Sequence, residues 1–453
     1  MAVAPFQVLL RDLGGRSAQR SVAMRRTAAA ASATGGAGEP GPDGTVLLWE
    51  GTQFSTPHAR AFQDRQYYRI FDAYGCLGLL PVRKDVFAVF VTNVEPVGSL
   101  EGETVFCISG VRFVSLTTNM YDNAPAADRG EYVDPATQAT STHPCADAQK
   151  FFVAGMFFFA PFIDMTSNAQ RRALVAAADA EGRPDVPHSP WATVDMRFLW
   201  NRYLLKDLLR VLPRSASGTH GWPPLVLAIQ GYFRSEVYKF GHKAFNVALV
   251  SRVSPARTGT RFNVRGVDDD GHCANFVETE QLVYHPDGSC LSFVQVRGSV
   301  PLFWEQDGVQ IGGHRVTFSR HPAASAVALR RHFDDLVLRY GGTTVVSLLA
   351  HRGGELPLAD AYRRAVAELA HPLVHFTAFD FHYETRDGFE AVSTLIGSVA
   401  KDLRAFGCFV RDGAGHVVAR QEGIFRTNCL DCLDRYARRV TGWRTRRTGV
   451  PDV

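Results

Sequence analysis

Phe425-Arg426-Thr427-Asn428-Cys429-Leu430-Asp431-Cys432-Leu433-Asp434-Arg435 decides how this chain is read. Five residues separate Cys429 from Arg435, the spacing at which a backbone can curl into a cup with successive N–H groups aimed at one phosphate. Cys429 would sit at the base as nucleophile, because N–H groups and cations around a thiolate lower its pKa and keep it reactive near neutral pH. Arg435 would close the rim with a planar guanidinium that meets phosphate oxygens in pairs. The same chemistry dictates local structure. A strand leads in, and a helix beginning at the arginine lends its N-terminal dipole to both thiolate and anion. Residues 424–429 are therefore expected as a strand running into a phosphate loop.

Upstream, the hydrophobic pattern supplies the layers such a strand needs. Leu329, Phe333, Leu336, Val337 and Tyr340 fall on one helical face. Residues 344–349 form a short apolar run expected as a buried strand, Leu358, Tyr362, Ala365 and Leu369 mark a second helix, and 375–382 a further strand. Val392, Leu395, Val399, Leu403 and Phe406 mark a third helix, stopped by Gly407. Alternation of this kind predicts an α/β core with helices on the faces of a sheet, in a chain that is α+β overall. The preceding half reads as short strands, such as 87–91 and 104–116, with polar insertions at 123–148 and 176–190. The expected order is a disordered Ala/Gly/Arg-rich tail over 1–44, a β-rich lobe over 45–213, a catalytic lobe over 214–435 and a basic tail over 436–453.

The decisive string resembles the signature of Sac-domain phosphoinositide phosphatases from Arg426 through Arg435. Other blocks fit the same family: Arg69 to Cys76, Asn201 to Leu205, Ser251 to Gly266, Ala274 to Gln281 and Arg297 to Gln306. Their wording is closest to the Sac portion of synaptojanins. The resemblance implies a two-lobed enzyme that removes phosphate monoesters from the inositol ring of membrane phosphoinositides (3-, 4- and 3,5-phosphorylated forms), through a cysteinyl-phosphate and with no metal or other cofactor. It makes Asp431 the general acid. Asn428, Leu430, Cys432, Leu433 and Asp434, with Arg426, are the substrate-binding candidates, although Asp434 can equally hold an arginine in place. After Arg435 the likeness stops. Tyr436 stands where the family has a small hydroxyl residue, and the end carries Gly442 and six arginines counting Arg435. A catalytically impaired phosphoinositide-binding module is therefore the alternative expectation.

Composition agrees with a soluble globular protein: 46% hydrophobic, 21% charged, net charge +4. Arginine outnumbers lysine 43 to 6 within the 49 basic residues, a bias that high genomic GC content explains by itself. Eight cysteines in 453 residues form no dense disulfide framework, and Cys429 must stay reduced, so a cytoplasmic setting with peripheral membrane attachment is expected. The most apolar run, 151–162, is too short to span a bilayer. Cys429 and Cys432 form a C-x-x-C pair, but a zinc knuckle would need a second pair at ligand spacing. Asp268-Asp269-Asp270-Gly271 matches a calcium loop for only four residues and is expected as a turn. Arg252, Arg257, Arg261 and Arg265 are either a solvated face or a basic surface that meets anionic membrane. Nucleic acid is not an expected partner.

Overall fold

The structure is a computed structural model, and it describes residues 4–12, 20–27, 47–56, 67–122, 131–133, 140–180, 194–211, 224–259, 264–306, 316–428 and 430. The chain divides into two compact units, Met1–Glu236 and Val237–Val453.

The first unit opens with β1 (Phe6–Asp12), β2 (Arg20–Arg26), β3 (Leu47–Glu50), β4 (Gln53–Ser55) and β5 (Tyr68–Ala73), which make one sheet in the order β4-β3-β2-β1-β5. For residues 6–12 and 20–26 this corrects the expectation of a disordered tail over 1–44; residues 28–44 lie outside the described residues. Phe6, Val8 and Leu10 alternate on β1 and Val22 and Met24 on β2, and all are buried. That period-2 pattern was diluted by the Ala/Gly/Arg-rich stretch that follows it. A second sheet holds β6 (Gly75–Val82), β7 (Asp85–Leu100) and β8 (Glu103–Ser115). Its strand β7 reads as a continuous apolar run because both faces are covered. Ala88 and Phe90 join the first sheet's core, while Phe87, Val89 and Val91 pack into a second core.

Beyond these strands the polar insertions are partly structured. β9 (Glu131–Val133) pairs with β10 (Thr140–Thr142), and α1 (Ala146–Phe152) runs on to β11 (Phe157–Phe159), which joins β8. Within the second expected insertion, α2 (Ala169–Ala180) extends to Ala180. The amphipathic α3 (Arg202–Val211) places Leu205 and Leu208 against the first core. Strand β12 (Ile229–Phe240) carries the chain across the division between the units.

The second unit is built on β13 (Lys243–Val253), β14 (Val277–Tyr284), β15 (Cys290–Arg297), a small hairpin of β16 (Trp304–Gln306) and β17 (Val316–Phe318), then α4 (Pro322–Tyr340), β18 (Gly342–Ser347), α5 (Leu356–Leu369) and β19 (Val374–Ala378). A single-turn α6 (Phe381–Glu384), α7 (Val392–Ser398) and α8 (Ala400–Phe406) follow, with β20 (Phe409–Arg411), β21 (Val417–Ala419) and β22 (Gly423–Asn428). The sheet order is β19-β18-β22-β15-β14-β13; β18 is parallel to both β19 and β22, and β22 is parallel to β15. The expected α/β alternation is thus what the chain forms. Three boundaries differ: the strand expected over 344–349 runs instead from Gly342 to Ser347. The strand expected over 375–382 ends at Ala378, and the third helix breaks at Val399 (φ −102°, ψ 6°) into α7 and α8. The break lets Leu395, Val399 and Phe406 enter one core with Phe425. Gly342 and Gly423 are register partners at the foot of β18 and β22. A Cβ on Gly423 would lie 2.3 Å from the Phe406 ring, so only glycine admits that ring onto the sheet. Among the described residues no helix is long and apolar enough to cross a membrane.

Candidate active site

Every residue of β22 is buried, which a strand achieves only with both faces covered. Phe425 points to Phe406 of α8, with ring centroids 5.4 Å apart. Arg426 points the other way, towards the α4 and α5 side, where its guanidinium carbon lies 5.9 Å from the Tyr362 ring centroid. Its guanidinium donates to the Ser299 carbonyl oxygen, approaches Cys273 Sγ at 3.5 Å, and donates from Nε to His332 Nε2 at 3.4 Å. Arg426 was expected at the substrate. It is fully buried, so the described contacts give it a supporting position, pinning β22 to its neighbours two residues before Asn428.

His332 sets the electrostatics of that support. Its Nδ1 must donate to the Gly271 carbonyl oxygen, 3.1 Å away, which leaves Nε2 as acceptor for Arg426. Burial, reinforced by the Arg426 charge, pushes its pKa well below the usual histidine value. The folded state therefore holds His332 neutral while the unfolded chain protonates near pH 6.5. Stability is full above that pH and falls as pH drops below it, by roughly 1.4 kcal/mol per unit. Urea midpoints at pH 7.5 and 5.5 check this: His332→Gln should flatten the acid slope, and an unchanged slope would refute the assignment.

At its carboxyl end β22 delivers Asn428, the residue before Cys429, between parallel neighbours. Asn428 pairs in register with Ser347, which pairs in turn with Ala378, so three parallel strands end at one level. The Asn428 carbonyl accepts from Leu348 N–H at 2.9 Å, and Asn428 Nδ2 donates to Ser347 Oγ at 3.4 Å. Buried to 1% exposure, Asn428 keeps its Oδ1 without a hydrogen-bond partner among the described residues. Carboxyl ends of parallel strands are where open α/β sheets bind ligands. Leu430 is half-buried; Cys429, Asp431, Cys432, Leu433, Asp434 and Arg435 lie outside the described residues, as do 436–453.

Sequence reasoning missed the loops at this end of the sheet. Asp380 follows β19, accepts from Tyr383 N–H at 3.1 Å as the cap of α6, and accepts from His351 N–H at 2.9 Å. It thereby ties the loop after β18 to the loop after β19. Burial pushes the Asp380 carboxyl up, but the two N–H bonds and the nearby His351 and Arg352 charges outweigh it and hold the group below its ordinary value. A capping signal was available in Asp380-Phe381-His382-Tyr383 directly after an apolar run, but the strand was extended through it. His382 lies exposed on α6.

Of the four arginines considered for a basic surface, the three that are described are buried or half-buried and bonded within the protein. Arg252 is wholly buried on β13 and bridges Glu278 Oε1 at 3.0 Å and Glu280 Oε2 at 2.6 Å on β14. Ser292 and Tyr340 donate to the remaining oxygens of the two carboxylates. Arg265 is 5% exposed and donates to Gln306 Oε1; half-buried Arg257 donates to the Arg265 carbonyl. Arg261 lies outside the described residues. Arg257, Arg265 and Arg320 do line a cleft of about 570 Å³, but Asp268, Asp269 and Glu305 line it too, and Arg320 pairs with Asp269. Balanced charge gives that cleft no preference for an anion. Asp268 to His272 is the expected turn, closed by Gly271 N–H on the Asp268 carbonyl.

A profile of the SacI homology domain matches residues 74–386. The chain belongs to the SacI homology domain family. It is similar to synaptojanin of Caenorhabditis elegans, 37% identical over 87% of this chain and 32% of that protein. It is 32% identical to inositol-1,4,5-trisphosphate 5-phosphatase 1 of Schizosaccharomyces pombe, over 86% of this chain and 36% of that one, and 35% identical to synaptojanin-1 of Mus musculus, over 82% and 21%. This SacI homology chain thus spans from about a fifth to about a third of the length of these relatives.

Proposed function

We propose that this SacI homology domain is a phosphoinositide phosphatase, hydrolysing 3- and 4-phosphate monoesters, and 3,5-bisphosphate, of membrane phosphatidylinositol. One observation carries the reading: β22 is a fully buried parallel strand whose carboxyl end, Asn428, immediately precedes Cys429-x5-Arg435. Family membership and the phosphatase named among the relatives support it. In the proposed reaction the Cys429 thiolate attacks phosphorus in line, forming an S–P bond as the P–O bond to the ring breaks. Arg435 and the loop N–H groups stabilise the equatorial oxygens. Asp431 protonates the departing ring oxygen and then takes a proton from the water that splits the cysteinyl-phosphate. The enzyme would work peripherally on the cytoplasmic face of membranes.

The test is phosphate release from a panel of phosphoinositides with and without EDTA. Turnover unaffected by the chelator is expected, and a strong loss would replace the thiolate mechanism with a metal one. A second reading, a weakly active binding module, is favoured by the departure from the family pattern after Arg435, beginning with Tyr436. Losing one preorganised donor near developing charge costs roughly a hundredfold to a thousandfold. On that reading Tyr436→Thr raises turnover by at least tenfold, whereas an unchanged rate discards it.

A further inference from the structure

One hairpin of the second unit exposes apolar side chains that the proposed reaction does not use. Strand β12 turns into β13 through Gly241-His242, and Gly241 takes the left-handed conformation (φ +58°) that a two-residue hairpin turn needs. At its tip Phe240 is 77% exposed and Val237 67%, a degree of apolar exposure that marks a contact surface when it is grouped. Strand alternation turns Phe240 to one face and Val237 with Lys239 to the other, so both faces of the tip are open. Strand β13 joins β14 only from Asn246 onward, and Lys243, Ala244 and Phe245 therefore run about 10 Å past the last β13–β14 pair. The projection is stiffened by its rings. Half-buried Phe245 meets Phe240 edge-on, with centroids 6.4 Å apart, and rests against His285 at 5.2 Å.

Charge selects the partner. Lys239 and Lys243 are exposed beside Phe240, and no acid occurs from Val237 to Val253. The neighbouring turns at this end of the sheet do carry carboxylates, but Asp287 lies 2.9 Å from His285 Nδ1 and Asp412 3.2 Å from His416 Nδ1. Upstream in β12, Glu236 is paired with Arg234. We propose that this hairpin tip docks the protein on an anionic bilayer, with Phe240 and Val237 in the interfacial layer and the two lysines at the lipid headgroups. The long lysine stems let the ammonium groups stay with the phosphates while the ring goes deeper. A second copy of this chain is the poorer occupant, because a two-fold contact would set the same lysines against one another. The inference rests on the proposed function for the nearness of a bilayer, since a phosphatidylinositol substrate stays in one.

Flotation of the full chain with vesicles tests this apart from turnover. Wild-type protein should bind mixed phosphatidylcholine–phosphatidylserine vesicles that contain no phosphoinositide, bind phosphatidylcholine alone far more weakly, and come off as salt screens the lysines. Phe240→Ser should weaken the binding about tenfold. Lys239→Gln with Lys243→Gln should weaken it roughly thirtyfold and flatten its salt dependence. Both variants should keep the wild-type circular dichroism and unfolding midpoint, because the changed side chains are exposed. Wild-type protein that ignores phosphatidylserine, or variants that bind as tightly as wild type, overturn the proposal. So does a sedimentation result in which Phe240→Ser splits a dimer and leaves vesicle affinity unchanged, which assigns the tip to a second copy of the chain. Hydrolysis of short-chain phosphoinositide in solution reads the other hypothesis separately. If it is absent while vesicle binding still follows Phe240 and the lysines, the phosphatase reading falls and the docking surface stands.

Discussion

Cys429→Ser is expected to lower phosphate release by a thousandfold or more while leaving phosphoinositide binding and the unfolding midpoint in place. Removing a covalent nucleophile takes away the interaction that exists only in the transition state, so kcat falls and affinity survives. Serine is nearly isosteric, but its hydroxyl is not deprotonated by the N–H groups and cations that suffice for a thiol. Folding should be indifferent, because β22 is held from beneath by Arg426 and beside Ser347 by Asn428, neither of which changes. The measurement is single-turnover phosphate release with circular dichroism on the same sample. A variant retaining more than a tenth of the wild-type rate would sink the cysteinyl-phosphate.

Arg252→Met should produce the largest loss of stability, about 3–5 kcal/mol. Glu278 and Glu280 are 1% and 0% exposed, and Arg252 is the cation that bridges them. Without it both carboxylates are buried against one another, with Ser292 and Tyr340 donating to them but no bridging cation in place. They would recover by taking up protons, so the deficit should be full at high pH and shrink as pH falls through their raised folded-state pKa values towards the ordinary glutamate range. Replacing all three residues with neutral isosteres, Arg252→Met with Glu278→Gln and Glu280→Gln, should restore much of the loss. Chemical denaturation across pH decides it: a deficit under 1 kcal/mol would mean that the triad is wetter than its burial suggests.

Arg252 also shows where sequence reading reached its limit. Its spacing from Arg257, Arg261 and Arg265 suggested a surface, because a lone charge in a sequence carries no sign of its partner. The partner was present in Val277-Glu278-Thr279-Glu280, whose two acids share one strand face, but pairing β13 with β14 required the register Arg252↔Glu278. The helices and strands around β22 were legible because amphipathic periods survive without knowledge of neighbours: Leu329 to Tyr340 became α4 and 344–349 became β18. Residues 6–26 were not, since two short strands beside a low-complexity stretch average to a tail. The string from Arg426 to Arg435 suggested a phosphate loop by its spacing and its likeness to the family signature, and that loop lies outside the described residues. His351, Arg352 and Asp380 stayed hidden because they come together only when two parallel strands end at the same level.

The order of strands in the second unit has a consequence for its assembly. β22 lies between β18 and β15, yet it is the last of the described strands to leave the ribosome. Until residue 428 is synthesised, β15 and β18 each present an open row of N–H and C=O groups, and the apolar faces of α4 and α8 lack the strand they close on. Such edges pair readily with other chains. The nascent second unit therefore passes through an interval in which the other described strands of its sheet exist but its central seam does not. During synthesis the segment that locks the sheet is also the one that leads into the proposed nucleophile, so a chain interrupted before it is expected to be prone to aggregate.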